Sequence, residues 1–278
     1  YVSLVFVACE TSPADVRTVA VDISLDAEVP TVVTLTWATQ DEVASHVEFG
    51  EGTEFERTSA TEAVATRQHS RTLIGLAADT EYVFRVSDSD VTESFTTGSL
   101  PPELPVLTVT GDEDAGEGWI VTTLLGAGNA PVLLDHKGRI TWWHLAEGSD
   151  LGPTTVVAAD GRGVVTNRQV GFFQGQGAAD TGFLRIPWAG GAVEDIAFPD
   201  QTHDFLERED GTIAALRFTT RFFGGQNVVA DELVELAPDG TERVVWNAFD
   251  TFDPAVIKPI PSDAGWTNQR YGQSSTEL

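Results

Sequence analysis

The stretch QTHDFLEREDGTIAALRF, residues 201–218, places His203 two residues before Phe205 at the start of a predicted strand–turn–strand. Imidazole titrates near neutral pH, so it can act as a nucleophile, an acid or base, or a donor to an anionic group. Arg217 and Arg221 follow on the same predicted hairpin and add positive charge. We therefore predict His203, Arg217 and Arg221 as binding residues for an anionic ligand. The alternative for His203 is a loop histidine bonded to a backbone carbonyl.

The other histidines are predicted to be structural. His46 and His69 lie at the ends of predicted strands, and His136 and His144 flank a Trp-Trp turn. The segment GDEDAGEG, residues 111–118, carries four carboxylates but lacks the alternating ligand spacing and closing Glu of an EF-hand loop. We interpret it as a solvated acidic turn and predict no metal site.

The composition excludes nucleic acid as a partner. The formal net charge is −27, and of 16 basic residues only Lys137 and Lys258 are lysines. Such a surface repels phosphate backbones and anionic lipid headgroups. With 41% apolar residues, 26 glycines and 13 prolines, the chain of 278 residues is typical of globular all-β proteins.

The first residues, YVSLVFVACETSP, resemble the end of a secretory signal followed by a bacterial lipobox. Cys9 is the only cysteine, which excludes an intramolecular disulfide and makes it the candidate for lipidation. We predict residues 1–16 to be the remnant of this signal and a tether. The protein is then exported to the periplasm or outer cell surface, and it contacts the membrane only through the lipid. The alternative is a buried first strand with a core cysteine.

Two regions follow that differ in the spacing of their predicted strands. Residues 17–98 contain short alternating strands at the spacing of a β-sandwich, and the proline-rich segment 99–106 is predicted to be a linker. In the remainder, 107–278, an Asp-Gly turn recurs fifty residues apart, and strands ending in Trp follow turns with Gly. A period near 50 residues with about four strands per unit is typical of β-propeller blades. We therefore predict a partial propeller of about three blades, at roughly 108–150, 151–200 and 201–252.

The sandwich region resembles a fibronectin type III domain, on the phrases LIGLAADTEYVFRV, residues 73–86, and VEFG, residues 47–50. The phrases PVLLDHKGRITWW, THDFLEREDGTIAAL and DELVELAPDGTERVVWNAFD resemble the bacterial arylsulfotransferase family. That resemblance implies an exported, six-bladed propeller preceded by a β-sandwich. It implies sulfuryl transfer from a phenolic sulfate donor to a phenol acceptor through a sulfated histidine, without a cofactor.

The resemblance carries over His203 alone, as a residue that faces the central funnel and binds the sulfuryl or phenolic oxygens. The family's Thr-His phrase is not matched, because Asn268 follows Trp266-Thr267 where the histidine is expected. No residue matches the family's nucleophilic histidine. We expect both beyond Leu278, in a chain that also lacks its start, since it has no methionine. The fragment by itself is then expected to be inactive.

There are two alternative hypotheses for the function. One is a non-catalytic cell-surface propeller used for adhesion or scaffolding, with the fibronectin-like module as a spacer. The other, a quinoprotein, is disfavoured because the regular Ala-x-Asp-x-x-Thr-Gly pattern is absent. The segments GFFQGQG, residues 171–177, and RFFGGQ, residues 221–226, are either loops that line the funnel entrance or contacts between blades; we predict that their Phe pairs pack between blades and that their Gly-Gln parts are open.

Overall fold

The computed structural model describes residues 20–87, 92–108, 110, 118–126, 129–145, 151–169, 181–253 and 275–277. This part of the chain is all-β, with antiparallel sheets and one turn of helix, α1 (Ala248–Thr251). Asn247 caps that turn, since its Oδ1 accepts the Phe249 N–H at 3.0 Å. The chain divides into two compact units. Of the described residues, the first unit contains those within 20–25, 33–73 and 79–97, and the second contains 26–32, 74–78 and those from 98 onward.

The first unit contains two antiparallel sheets with the strand orders β1-β2-β5 and β4-β3-β6-β7. Its strands are β1 (Asp22–Leu25), β2 (Val33–Val43), β3 (Val47–Glu51), β4 (Arg57–Thr58), β5 (Thr66–Leu73), β6 (Glu81–Val86) and β7 (Thr92–Thr96). Successive side chains of a strand point to opposite faces of the sheet, and this explains why each sheet has one buried face. On β2, Val33, Leu35 and Trp37 are buried while the residues between them are more exposed. Tyr82 and Phe84 do the same on β6.

The second unit contains three consecutive sheets in which strands adjacent in sequence are hydrogen-bonded neighbours. The first is formed by β8 (Ile120–Leu124), β9 (Ala130–Leu134) and β10 (Ile140–Trp143). The second is formed by β11 (Leu151–Val157), β12 (Gly163–Gln169), β13 (Thr181–Pro187) and β14 (Glu194–Ala197). The third is formed by β15 (Gln201–Glu207), β16 (Ile213–Phe223), β17 (Gln226–Leu236) and β18 (Glu242–Asn247), and β19 (Ser275–Glu277) pairs parallel to β17.

The recurring Asp-Gly dipeptides form the tight turns between these strands. Asp210 and Asp239 each accept, through Oδ1, the backbone N–H two residues on, at 2.9 Å. These backbone hydrogen bonds lower the pKa of both carboxyls. The next residues, Gly211 and Gly240, have φ of 80° and 84°, which glycine adopts without a steric penalty. The Asp-Gly repeat in the sequence is therefore a repeat of hairpin turns.

Aromatic side chains pack between neighbouring sheets of the second unit. Phe183 of β13 lies 4.7 Å from Phe205 of β15 and 5.5 Å from Phe198, measured between ring centroids. Between the first and second sheets, Trp142 meets Trp188 edge to face at 4.8 Å, and its Nε1 donates to the Trp188 carbonyl at 3.0 Å. These contacts bury apolar area and satisfy the indole N–H, so they fix each sheet against the next.

The prediction that the Phe pair of RFFGGQ packs between sheets is wrong. Phe222 is 71% exposed and Phe223 is 38% exposed, at the end of β16 just before a tip made by Gly224 and Gly225. The reason is that the β16–β17 hairpin continues past Arg217, the last residue of β16 that pairs with β15. The matching segment 171–177 lies outside the described residues.

Candidate functional site

The first strands of the three sheets in the second unit are neighbours, because β11 lies beside both β8 and β15. Polar side chains connect them. The hydroxyls of Thr123 on β8 and Thr155 on β11 are 2.6 Å apart, and Thr155 donates to Thr166 of β12 at 2.9 Å. Buried polar residues therefore follow the line along which the three sheets meet.

His203 lies on β15 at an irregularity of the strand. Gln201 pairs with Arg217 and Phe205 pairs with Ala215, so four residue steps on β15 face two on β16. Such bulges turn side chains away from the regular pleat and are frequent beside active sites. The side chain of His203 lies outside what the structure describes, as does Cys9. The predicted roles of both residues therefore stay predictions.

Gln201, two residues before His203, is fully buried. Its backbone N–H donates to Thr181 Oγ1 at 3.0 Å, and its side-chain Nε2 donates to the Thr202 carbonyl. Its Oε1 finds no hydrogen-bond donor among the described residues. Leaving a buried acceptor unpaired costs about 1–3 kcal/mol. Gln201 Oε1 is therefore a buried acceptor without a donor in the described part of the chain, two positions from the predicted ligand-binding histidine.

Arg217 is held by carboxylates on two neighbouring strands. Its Nε donates to Glu232 Oε1 and its Nη1 to Glu242 Oε2, both at 2.6 Å, while the guanidinium lies 5.5 Å from the Phe198 ring centroid. Burial lowers the pKa of Arg217, but the two carboxylates outweigh burial and raise it. Its positive charge is thus already compensated within the sheet. A bound anion would have to compete with Glu232 or Glu242.

Arg221 lies farther along the hairpin and is half exposed. Its Nη1 donates to the Phe249 carbonyl at 3.3 Å, its Cζ lies 4.7 Å from the Phe249 ring centroid, and its Nη2 is 3.7 Å from Asp250. Arg221 is four residues beyond Arg217, which places its backbone about 13 Å along the strand from Gln201 and away from His203. The strand register therefore separates Arg221 from His203.

A cleft of about 560 Å³ lies between the second and third sheets and is strongly acidic. Its lining includes Arg185 and six carboxylates: Asp160, Glu194, Glu207, Glu209, Asp210 and Glu242. Across the described ranges, no three His, Cys, Asp or Glu side chains are arranged to hold a metal ion. The cleft is therefore not assigned as a metal centre.

The first unit contains a cluster that the sequence did not reveal. Thr39 Oγ1 lies 3.0 Å from His69 Nε2, and His69 Nδ1 lies 2.8 Å from Glu62 Oε2. The order hydroxyl–imidazole–carboxylate is that of a nucleophile with its base. However, the Thr39 hydroxyl donates its proton to the Asp41 carbonyl at 2.8 Å, and the His69 side chain is fully buried. This cluster therefore cannot activate Thr39 for attack on a substrate.

No family model matches the chain, and no curated protein matches it. The class that the structure defines is an all-β protein built from several antiparallel sheets. Among the helical residues of the described part, none forms a segment long and apolar enough to cross a bilayer.

Proposed function

We propose that the chain belongs to an exported arylsulfotransferase-like enzyme, with a fibronectin type III-like sandwich followed by a partial β-propeller. Support for the sandwich is the division of seven strands into β1-β2-β5 and β4-β3-β6-β7. Support for the propeller is the succession of sheets at the fifty-residue repeat, with their first strands side by side and Trp and Phe rings between them.

One observation carries the proposed site: His203 lies in the bulge of β15, the first strand of its sheet, two residues from Gln201, whose Oε1 has no donor among the described residues. In the proposed reaction the bond between sulfur and the donor phenolic oxygen breaks, and a bond between sulfur and the acceptor phenolic oxygen forms. The acceptor loses a proton and the departing phenolate gains one. His203 donates to the sulfuryl or phenolic oxygens, which stabilises their charge without a cofactor.

The covalent nucleophile is not assigned to any residue of the chain. Arg217 supplies positive potential near the site only to the extent that Glu232 and Glu242 leave it uncompensated. Export and lipidation at Cys9 belong to the same proposal. Incorporation of a labelled fatty acid that is lost in Cys9→Ser, but kept in Ser3→Ala, tests the lipid anchor.

The test of the activity uses the full-length gene product with p-nitrophenyl sulfate as donor and phenol as acceptor. We expect release of p-nitrophenol that depends on the acceptor and falls by about 100-fold or more in His203→Ala. His136→Ala is the matched control, because His136 is an exposed turn residue. Equal activity of the two variants would remove His203 from the mechanism. Absence of transfer in the unmodified protein would overturn the proposed function.

The second candidate is a non-catalytic surface propeller for adhesion or scaffolding. The observation that favours it is the neutralisation of Arg217 by two carboxylates, together with the distance between Arg221 and His203 along the hairpin. Under this alternative the full-length protein binds neither p-nitrophenyl sulfate nor phenol, and His203→Ala changes neither binding nor transfer. Calorimetric titration with p-nitrophenyl sulfate distinguishes the two candidates even if turnover is slow.

A further inference from the structure

We propose that Gln201 is a positioning residue for His203: together with Thr181 of the neighbouring sheet, it fixes the bulge of β15 on which His203 lies. The inference rests on the role proposed above for His203, and it concerns a side chain that acts through that residue. It is carried by hydrogen bonds at the start of the bulge and by the recurrence of the same bulge in the second sheet.

The bulge of β15 has a counterpart in β11, fifty residues earlier. In both strands four residue steps face two steps of the partner strand. The pairs that bound the bulge are Leu151–Arg168 and Thr155–Thr166 in the second sheet, and Gln201–Arg217 and Phe205–Ala215 in the third. His203 is the middle residue of its bulge, where the second sheet has Pro153, and Pro153 is exposed. The bulge is therefore a feature of the repeat, while the residue in its middle differs between sheets.

The bulge of the second sheet is held by an amide side chain from the opposite strand. Asn167 lies on β12 between the two bounding pairs, and its Oδ1 accepts the Thr154 N–H at 3.0 Å. Such hydrogen bonds are needed because a bulge takes backbone groups out of the regular ladder. In the third sheet Leu216 holds the matching position and has no hydrogen-bonding side chain. The bulge of β15 therefore needs its hydrogen bond from elsewhere.

Gln201 supplies this hydrogen bond from the bulged strand itself. Its Nε2 donates to the carbonyl of Thr202, the first residue inside the bulge. The Gln201 side chain is fully buried, so water does not compete for the amide. The amide therefore fixes the backbone directly before His203.

Thr181 ties the backbone of Gln201 to the second sheet. Its hydroxyl donates to the Phe198 carbonyl at 2.8 Å, and its oxygen accepts the Gln201 N–H at 3.0 Å. These three residues are buried. The preceding residue, Asp200, has φ of 62°, and its carbonyl accepts the Phe218 N–H at 2.9 Å. The chain therefore enters the bulge in one fixed register.

Removal of the Gln201 amide should act on His203 through the backbone. The Thr202 carbonyl loses this donor, and residues 202–204 gain freedom to move relative to the second sheet. A displacement of about 1 Å of a group that contacts substrate is enough to lower a reaction rate strongly. The pairs that bound the bulge remain, so the sheet itself stays folded.

The first measurement is backbone amide hydrogen exchange by NMR of the whole chain, which does not depend on any activity. Gln201→Met keeps the length of the side chain and removes the amide. We expect the amides of 202–204 to exchange about tenfold faster in Gln201→Met. Thr181→Val should have a similar effect, and Thr181→Ser, which keeps the hydroxyl, should restore wild-type exchange.

Asn167→Ala is the matched control, because it releases the bulge of the second sheet. It should speed exchange of the Thr154 amide and leave residues 202–204 unchanged. Wild-type exchange at 202–204 in Gln201→Met would overturn the proposal. An equal rise throughout β16 would overturn it as well, because Gln201 would then stabilise the sheet and not the bulge.

The second measurement is transfer from p-nitrophenyl sulfate to phenol by the full-length gene product. Gln201→Met should lower kcat by about tenfold or more. In a His203→Ala background it should have no further effect, because Gln201 acts through His203. Losses that multiply in the double variant would overturn the positioning role. If the unmodified protein transfers no sulfuryl group, the proposed function fails, and the exchange measurement still decides whether Gln201 and Thr181 fix the bulge.

Discussion

Glu207 on β15 and Arg185 on β13 form an ion pair that joins the second and third sheets of the second unit. The Glu207 side chain is only 1% exposed, and its other oxygen accepts the Ala159 backbone N–H at 2.8 Å. Burial by itself lowers the pKa of Arg185. The hydrogen bond to Glu207 and the Glu207 charge outweigh burial, so the pKa of Arg185 is raised. A buried carboxylate with two donors, one of them charged, is costly to leave unpaired, so this pair holds the two sheets in register.

Glu207→Gln should lower the free energy of unfolding by about 2 kcal/mol, because Arg185 loses its buried partner while the amide keeps part of the hydrogen bonding. Glu209→Gln, an exposed carboxylate of the same cleft, should change it by less than about 0.5 kcal/mol. Urea denaturation of the whole chain measures both. Equal effects would show that the pair adds nothing beyond surface charge.

Arg217 and Arg221 should differ in their contribution to stability. Arg217→Gln leaves Glu232, whose side chain is 11% exposed, with Asn247 as its remaining donor, and should cost about 1–3 kcal/mol. Arg221→Gln removes an exposed pair at 3.7 Å and should cost less than about 0.5 kcal/mol. Chemical denaturation compares the two variants. A small loss in Arg217→Gln would mean that its carboxylate contacts leave the guanidinium available for a ligand.

His144 should make the second unit less stable in acid. Burial lowers the pKa of His144, and the nearby Glu28 carboxylate opposes this only in part. The unfolded chain therefore binds more protons than the folded chain below about pH 6.5, and stability is lost as the pH falls through that region.

Denaturant unfolding from about pH 5 to about pH 8 checks this dependence. His144→Gln should flatten the acid slope, and His136→Gln, at an exposed turn, should leave it unchanged. An unchanged slope in His144→Gln would assign the acid sensitivity to another group.

The turns and the strand pattern were predictable from the sequence because their causes are local. Asp210-Gly211 and Asp239-Gly240 form hairpin turns through a side-chain hydrogen bond two residues away and a positive φ at glycine. Strand alternation in β2 likewise follows from side-chain geometry within one segment. The repeat therefore predicts the succession of sheets before any long-range contact is known.

The sequence could not predict whether His203, Arg217 and Arg221 lie close together. They lie on one hairpin in sequence, but the register between β15 and β16 separates Arg221 from His203 by several residue steps. The register depends on a bulge, and nothing local in the sequence marks its position. The exposure of Phe222 also depends on how far β16 continues past its partner strand.

By itself the sequence determined an all-β chain, an acidic surface and the position of its turns, because composition and short-range hydrogen bonding suffice for these. Only the tertiary structure decided which charges meet. Glu62 reaches His69 and Ser45 from a connecting segment, and Glu207 reaches Arg185 from another sheet. Such pairs depend on distances between segments far apart in the chain, and those distances are set by how the sheets pack.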